Sequence, residues 1–405
     1  MSSTTTYNIK RTLKNNTIFI ALIVVMMLFQ ILIVATGNGS LFAPANITNI
    51  INQNAYVVIL ATGMLLCILT GGNIDLSVGS IVAFVGAIAG TLIVNLHWNI
   101  YFSILLCLVV GILIGAWHGL WIAFVHIPPF IVTLAGMLLW RGAALIVLNG
   151  LTISPMPDSY LALFSSYIPA VSEKLINEDL AKASSITFTV TMLIAAVCCI
   201  LFIVAEIIKR NSRKAKGYEV TSFGVFISKI VLLCLVIMIV ATLLAQDKGL
   251  PIILVIVAVI VLVYAYYTQN TVPGRYLYAL GGNAKAAKLS GVNTDKVMFF
   301  AYTNMGFLSA VAALVCVARF NSAAPTAGTN YEMDAISSCF IGGASAYGGT
   351  GTVSGAVVGA VFMGVLNNGM SILGVDSNWQ KAVKGLVLLL AVLFDVVSKK
   401  KKSSK

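Results

Sequence analysis

The chain has 405 residues, of which 59% are hydrophobic and only 9% are charged, whereas about 25% of residues are charged in a soluble globular protein. So few charges cannot clothe this length in a water-facing surface, which excludes a soluble enzyme and a large extramembrane domain. The net charge of +12 lies in clusters beside apolar runs, unlike the basic, aromatic-studded surface of a nucleic-acid binder, so an all-α polytopic membrane protein remains.

A spanning helix needs roughly 20 apolar residues. In chain order the hydropathy predicts spans at about 18–36, 54–70, 77–94, 101–125, 129–148, 186–208, 225–245, 250–268, 297–317, 352–373 and 382–397. The glycine-rich stretch 335–350 is a candidate twelfth. Lys10, Arg11 and Lys14 precede the first span, as in a signal peptide. Its apolar run exceeds the roughly 7–15 residues of a signal core, so the expectation is an uncleaved first helix.

Lysines and arginines set the orientation. The N-terminus, 209–224, 269–296 and the tail after 397 together hold 17 of the 25 basic residues. The opposite side holds five: Lys174, Lys182, Lys248, Arg319 and Lys381. The positive-inside rule then places both termini in the cytoplasm. An even number of crossings follows, so 335–350 is expected to complete about twelve, as a broken or glycine-kinked segment. Segment 149–185, with Pro155, Pro157, Pro169 and a mixed charge cluster, is the largest outside connection. It reads as a solvated loop with a short surface helix, or as a docking surface.

Two glycine-rich breaks resemble each other: Gly71-Gly72-Asn73-Ile74-Asp75-Leu76-Ser77-Val78-Gly79, and Gly342-Gly343-Ala344-Ser345-Ala346-Tyr347-Gly348-Gly349. Paired interruptions of this kind mark internal repeats near a substrate route. A carboxylate at membrane depth must face water, a partner or a ligand. Asp75, with Asn73 and Ser77, therefore reads as a pathway or gating element, as a cap for the helix starting near Ser77, or as both. Arg141 lies about mid-span and needs a buried partner or the pathway; Asp75 is its candidate mate, and snorkelling is the alternative. Asn367 and Asn368 read as helix-to-helix hydrogen bonders or as pathway groups. Gly111, Gly115 and Gly119, Gly86 with Gly90, and Gly355 with Gly359 repeat the small-residue spacing of closely packed helices.

Segment 269–296 is basic and rich in Ala, Lys and Leu after Asn283, which predicts a short helix capped by Asn283 and stopped by Gly291. Docking onto another protein and lying on the membrane surface fit it equally well. The seven cysteines form no C-x-x-C pair and read as small buried apolar residues. No metal site is expected. There is no Gly-Lys dipeptide, hence no Walker A loop, and no H-E-x-x-H or G-x-S-x-G signature.

Gly72-Asn73-Ile74-Asp75-Leu76-Ser77-Val78-Gly79, the Pro128–Gly136 segment PPFIVTLAG, Gly274-Arg275-Tyr276 leading to Gly281-Gly282-Asn283, and Trp379-Gln380 followed by Lys384-Gly385 occur in one order along the chain. Together they resemble the permease subunits of bacterial ABC importers for monosaccharides, the ribose, galactose and xylose group. The basic loop and added spans at about 209–250 look like the xylose or multiple-monosaccharide branch. The resemblance implies one transmembrane permease domain over 1–405 in the bacterial plasma membrane. It also implies a second permease copy as a homodimer, two ABC ATPase subunits that carry the ATP and Mg, and an extracytoplasmic sugar-binding protein. It assigns 269–296 as the coupling loop, with Gly274, Arg275, Tyr278, Gly281, Gly282, Asn283 and Ala286 toward the ATPase. A proton-coupled secondary transporter is the alternative; it should show more intramembrane carboxylates than Asp75.

Overall fold

The computed structural model describes residues 17–170, 180–218 and 222–403. The basic N-terminus (Lys10, Arg11 and Lys14), the charged residues Glu173, Lys174, Glu178 and Asp179, and Lys405 lie outside the described residues. In chain order the helices are α1 (Thr17–Ala35), α2 (Pro44–Leu69), α3 (Val78–Gly90), α4 (Ile100–Ala123), α5 (Pro129–Leu148), α6 (Asp158–Phe164), α7 (Leu180–Ala215), α8 (Phe223–Ala245) and α9 (Ile252–Asn270). They continue with α10 (Val272–Gly282), α11 (Ala284–Leu289), α12 (Thr294–Phe320), α13 (Tyr331–Ile341), α14 (Val353–Ile372) and α15 (Ser377–Ser403). Two short strands, β1 (Tyr167–Ile168) and β2 (Leu250–Pro251), pair antiparallel.

Ten helices among the described residues are long and apolar enough to cross a membrane. They match the hydropathy spans from the first through 352–373, with shifted ends. The second begins at Pro44, ten residues before the hydropathy edge, because proline in the first turn needs no helical N–H partner. The expected crossing at 382–397 lies within α15, which has 27 residues. The stretch 335–350 is not a regular crossing. It is the end of α13, 11 residues long, followed by a glycine turn. At 1.5 Å per residue such a helix covers only about half of a 30 Å hydrocarbon layer. The basic residues expected in a loop after 208 are partly helical, because α7 runs on without a break to Ala215.

The core lies around α2 and α12. From Val57 to Leu69 every residue of α2 is buried, as is nearly every residue of α12 from Leu308 to Ala318. The glycine spacings work as packing faces. A Cβ on Gly306 of α12 would stand 2.2 Å from the Gly111 carbonyl oxygen and 2.6 Å from the Gly115 nitrogen of α4. Gly359 meets the Ser338 carbonyl of α13 in the same way, and Gly90 packs against the Ala323 methyl just beyond α12. With no hydrophobic drive between helices in lipid, such close approach supplies the van der Waals contact that holds them. Helix α1 seats Phe29 against Gly369 of α14, so it belongs to the bundle. Helices α7 and α8 pair with each other, joined by an ion pair of 3.1 Å between Lys229 and Glu206, and expose most of their apolar side chains. Five cysteines are buried and Cys234 is half-buried, but Cys198 on α7 is exposed, because that helix has few neighbours inside the chain.

Segment 149–170 contains the short helix α6, whose Tyr160 is fully buried and donates to the Leu314 carbonyl at 2.8 Å. This connection is thereby pinned to α12.

Candidate functional site

The two glycine breaks meet. Gly72 (φ +76°) faces the second break so closely that a Cβ would stand 2.0 Å from the Ala346 carbonyl oxygen. Gly348 (φ +81°) would place one 2.5 Å from Gly71. Both combine a left-handed backbone with direct backbone contact, which only glycine supplies without strain. A third segment joins them: a Cβ on Gly281, at the end of α10, would lie 1.9 Å from the Leu69 carbonyl oxygen and 2.4 Å from the Gly349 nitrogen. The Gly349 N–H donates to the Leu69 carbonyl at 3.1 Å. Tyr278 donates to the Gly351 carbonyl at 3.0 Å. Asn73 turns back to Thr70, donating to its hydroxyl at 3.2 Å.

Segment 269–296 forms two short helices with the expected punctuation. Asn283 accepts the Ala286 N–H at 3.0 Å as N-cap of α11, and Gly291 follows its end with φ +84°. The expected coupling residues divide by direction. Gly274, Tyr278 and Gly281 face the bundle; Gly274 fits because a Cβ there would stand 2.1 Å from the Tyr267 carbonyl oxygen. Arg275, Gly282, Asn283 and Ala286 are exposed, and nothing lies within 4 Å of a Cβ on Gly282. Leu289 is 91% exposed, so α11 presents an uncovered apolar end beside Lys285 and Lys288.

Asp75 is buried, and its Oδ1 accepts both the N–H (2.8 Å) and the hydroxyl (2.5 Å) of Ser77. This turn precedes α3 and orders its N-cap residue Ser77, whose own side chain makes no cap hydrogen bond. Its Oδ2 is buried without a hydrogen-bond partner among the described residues. Arg141 is not the mate of Asp75. Its Nη1 donates to the carbonyls of Pro325 and Ala327, because 325–328 form a turn against Gly79 whose carbonyl oxygens are not used in a helix. A Cβ on Gly79 would meet the Gly328 carbonyl oxygen at 2.1 Å and the Glu332 carboxylate at 2.5 Å. Asn367 and Asn368 lie on α14, apart from this cluster. Neither side-chain oxygen has a hydrogen-bond partner among the described residues, so the expected helix-to-helix bonds are not formed through them.

The strongest interior polar group was not evident from the sequence. Asp334 on α13, with a side chain only 1% exposed, pairs with Lys384 of α15 at 3.0 Å and accepts the Tyr56 hydroxyl of α2 at 2.9 Å. Tyr56 stacks on Tyr331 with ring centroids 3.8 Å apart. Asp75 is therefore not the sole interior carboxylate. The available signal was Lys384: a cation inside an apolar run requires a counter-charge, and Asp334 flanks a run.

Residues 46–392 match the family described as branched-chain amino acid transport system / permease component. The chain belongs to this permease family. It is 35% identical over 387 residues to the xylose transport system permease protein XylH of Haemophilus influenzae, covering 96% of this chain and 98% of that one. It is 35% identical to XylH of Escherichia coli, covering 95% and 92%. Against the ribose import permease protein RbsC of Escherichia coli the identity is 34%, with 92% of each chain covered. No solved structure matches the permease.

Proposed function

We propose that this permease is the translocation subunit of an ATP-driven importer that moves a neutral monosaccharide, a xylose-like pentose or a related hexose, into the cytoplasm. The observation that carries the reading is the glycine junction. Gly281, the penultimate residue of α10, touches Leu69 at the end of α2, where the first break begins, and Gly349 of the second break. A push on α11 from a partner would reach both breaks without passing through a flexible loop. The names of its relatives, a xylose transport permease and a ribose import permease, support the class of cargo and the direction of transport.

In this reading ATP and Mg are held by two separate ABC ATPase subunits that seat α10 and α11 through Arg275, Gly282 and Ala286. A sugar-binding protein delivers cargo outside, and a second copy of the chain completes the pathway within the lipid of the plasma membrane. Asn73, Asp75 and Ser77 hold the first break in shape. The proton-coupled alternative has less support: the buried carboxylate of Asp334 is neutralised by Lys384. The test is hydrolysis. The purified chain alone should hydrolyse no ATP and should confer sugar-stimulated hydrolysis when combined with its ATPase; robust hydrolysis by the chain alone contradicts the proposal.

Both termini face the cytoplasm in this arrangement. A cysteine placed in the tail after Lys399 should resist a membrane-impermeant thiol reagent in intact cells, while one at Lys248 should react. The reverse pattern would overturn the orientation and, with it, the side on which α11 meets its partner.

A further inference from the structure

A cavity of about 220 Å³ opens beside the first turns of α2, at the end remote from the glycine junction. Asn49, Asn52 and Gln53 line one side. Their spacing of three and four residues puts them on one helix face. Tyr167 of β1, Phe164 of α6 and Arg319 at the end of α12 line the other. The Asn52 amide donates to the Tyr167 hydroxyl at 3.0 Å. Among the described residues no side-chain hydrogen bond occupies Asn49, Gln53 or the Arg319 guanidinium, and no carboxylate lines the cavity.

This inventory has a definite chemistry. Carboxamides and a phenol both donate and accept, as sugar hydroxyls do. The Phe164 and Tyr167 rings offer apolar surface to the C–H faces of a pyranose or furanose. The lining does not suit a cation, since its only charge is that of Arg319, and the Lys248 ammonium stands 5.7 Å from the Tyr167 ring centroid at the rim. One helical turn below Asn52, Tyr56 stacks on Tyr331 and is tied to the Asp334–Lys384 pair, which bars further descent in this state.

We propose that this carboxamide cup is the receiving site where the permease accepts a neutral monosaccharide, with Asn52, Gln53 and Arg319 as its specificity-bearing hydrogen bonders. The proposal rests on the importer reading and adds the place where sugar first meets this chain. A site built to hydrogen-bond hydroxyls discriminates through them, so losing one partner should slow transport without disturbing the partner subunits.

The experiment uses the full importer, with ATPase and binding protein, in proteoliposomes supplied with labelled xylose or ribose. Asn52→Leu and Gln53→Leu should each lower uptake roughly tenfold, Gln53→Asn should restore part of it, and ATP hydrolysis triggered by the sugar-loaded binding protein should persist. Asn49→Cys, in a Cys198→Ser background, should transport until a bulky impermeant maleimide is added from outside, and free sugar should slow that labelling. The Cys variant decides the matter even if the leucine variants fail to reach the membrane, since Asn49 is exposed. Wild-type uptake in the leucine variants, or in the fully labelled Asn49→Cys protein, overturns the cup while leaving the importer standing. Absence of ATP-dependent sugar uptake by the unmutated complex overturns the importer reading and the cup with it.

Discussion

Gly281→Val should abolish transport and destabilise the protein, whereas Gly282→Trp one residue away should leave stability unchanged. At Gly281 the first side-chain carbon would overlap the Leu69 carbonyl oxygen at 1.9 Å and the Gly349 nitrogen at 2.4 Å. Neither atom is the flexible end of a side chain, so two backbone segments must move. Overpacking typically costs about 1–3 kcal/mol and occasionally more; a clash against two backbones belongs at the upper end. Gly282 faces open space, so its substitution acts on whatever docks there. Ala286→Glu, on the exposed face of α11, should likewise uncouple transport while membrane insertion stays intact. Thermal unfolding in detergent and co-purification with the ATPase separate the two classes. A Gly281→Val protein as stable as wild type would mean the junction is loose. An Ala286→Glu protein that retains the ATPase and transports normally would remove α11 from the contact.

Lys384→Met should be the most damaging single loss of charge. It strands Asp334, whose side chain is 1% exposed, beneath a partner that is itself 18% exposed. Removing one partner of a buried pair costs about 3–5 kcal/mol, while replacing both with apolar or neutral groups is often close to neutral. The lower end applies here, since Lys384 keeps some exposure and Tyr56 still donates to the carboxylate. Asp334→Asn combined with Lys384→Met should recover most of the stability lost in Lys384→Met alone. Thermal midpoints of the two single variants and the double variant provide the check. A double variant whose loss equals the sum of the two singles would show that the charges do not interact.

Helix positions were legible in the sequence because length and hydropathy alone set which runs can span lipid. The caps at Asn283 and Gly291 were legible because capping is local, decided within four residues. The glycine spacings of α4 and α14 were also readable as packing faces, although which helix fills each face was not. What escaped is long-range. Lys384 and Asp334 stand 50 residues apart in sequence, and Asp334 sits at the edge of an apolar stretch where a charge reads as a boundary. Arg141 found carbonyl oxygens rather than Asp75 because the chain at 325–328 is not helical and leaves acceptors unused. The likeness of the two glycine breaks was visible in the letters. Their contact with each other, and with Gly281, brings together three segments separated by about 70 to about 280 residues, and no local pattern encodes it.

The most direct measurement is accumulation of labelled xylose or ribose in proteoliposomes that contain the chain, its ATPase and its binding protein, with ATP and a pH gradient supplied separately. Accumulation should require ATP and the binding protein and be indifferent to collapse of the pH gradient. Accumulation driven by a pH gradient without ATP would contradict ATP-driven import.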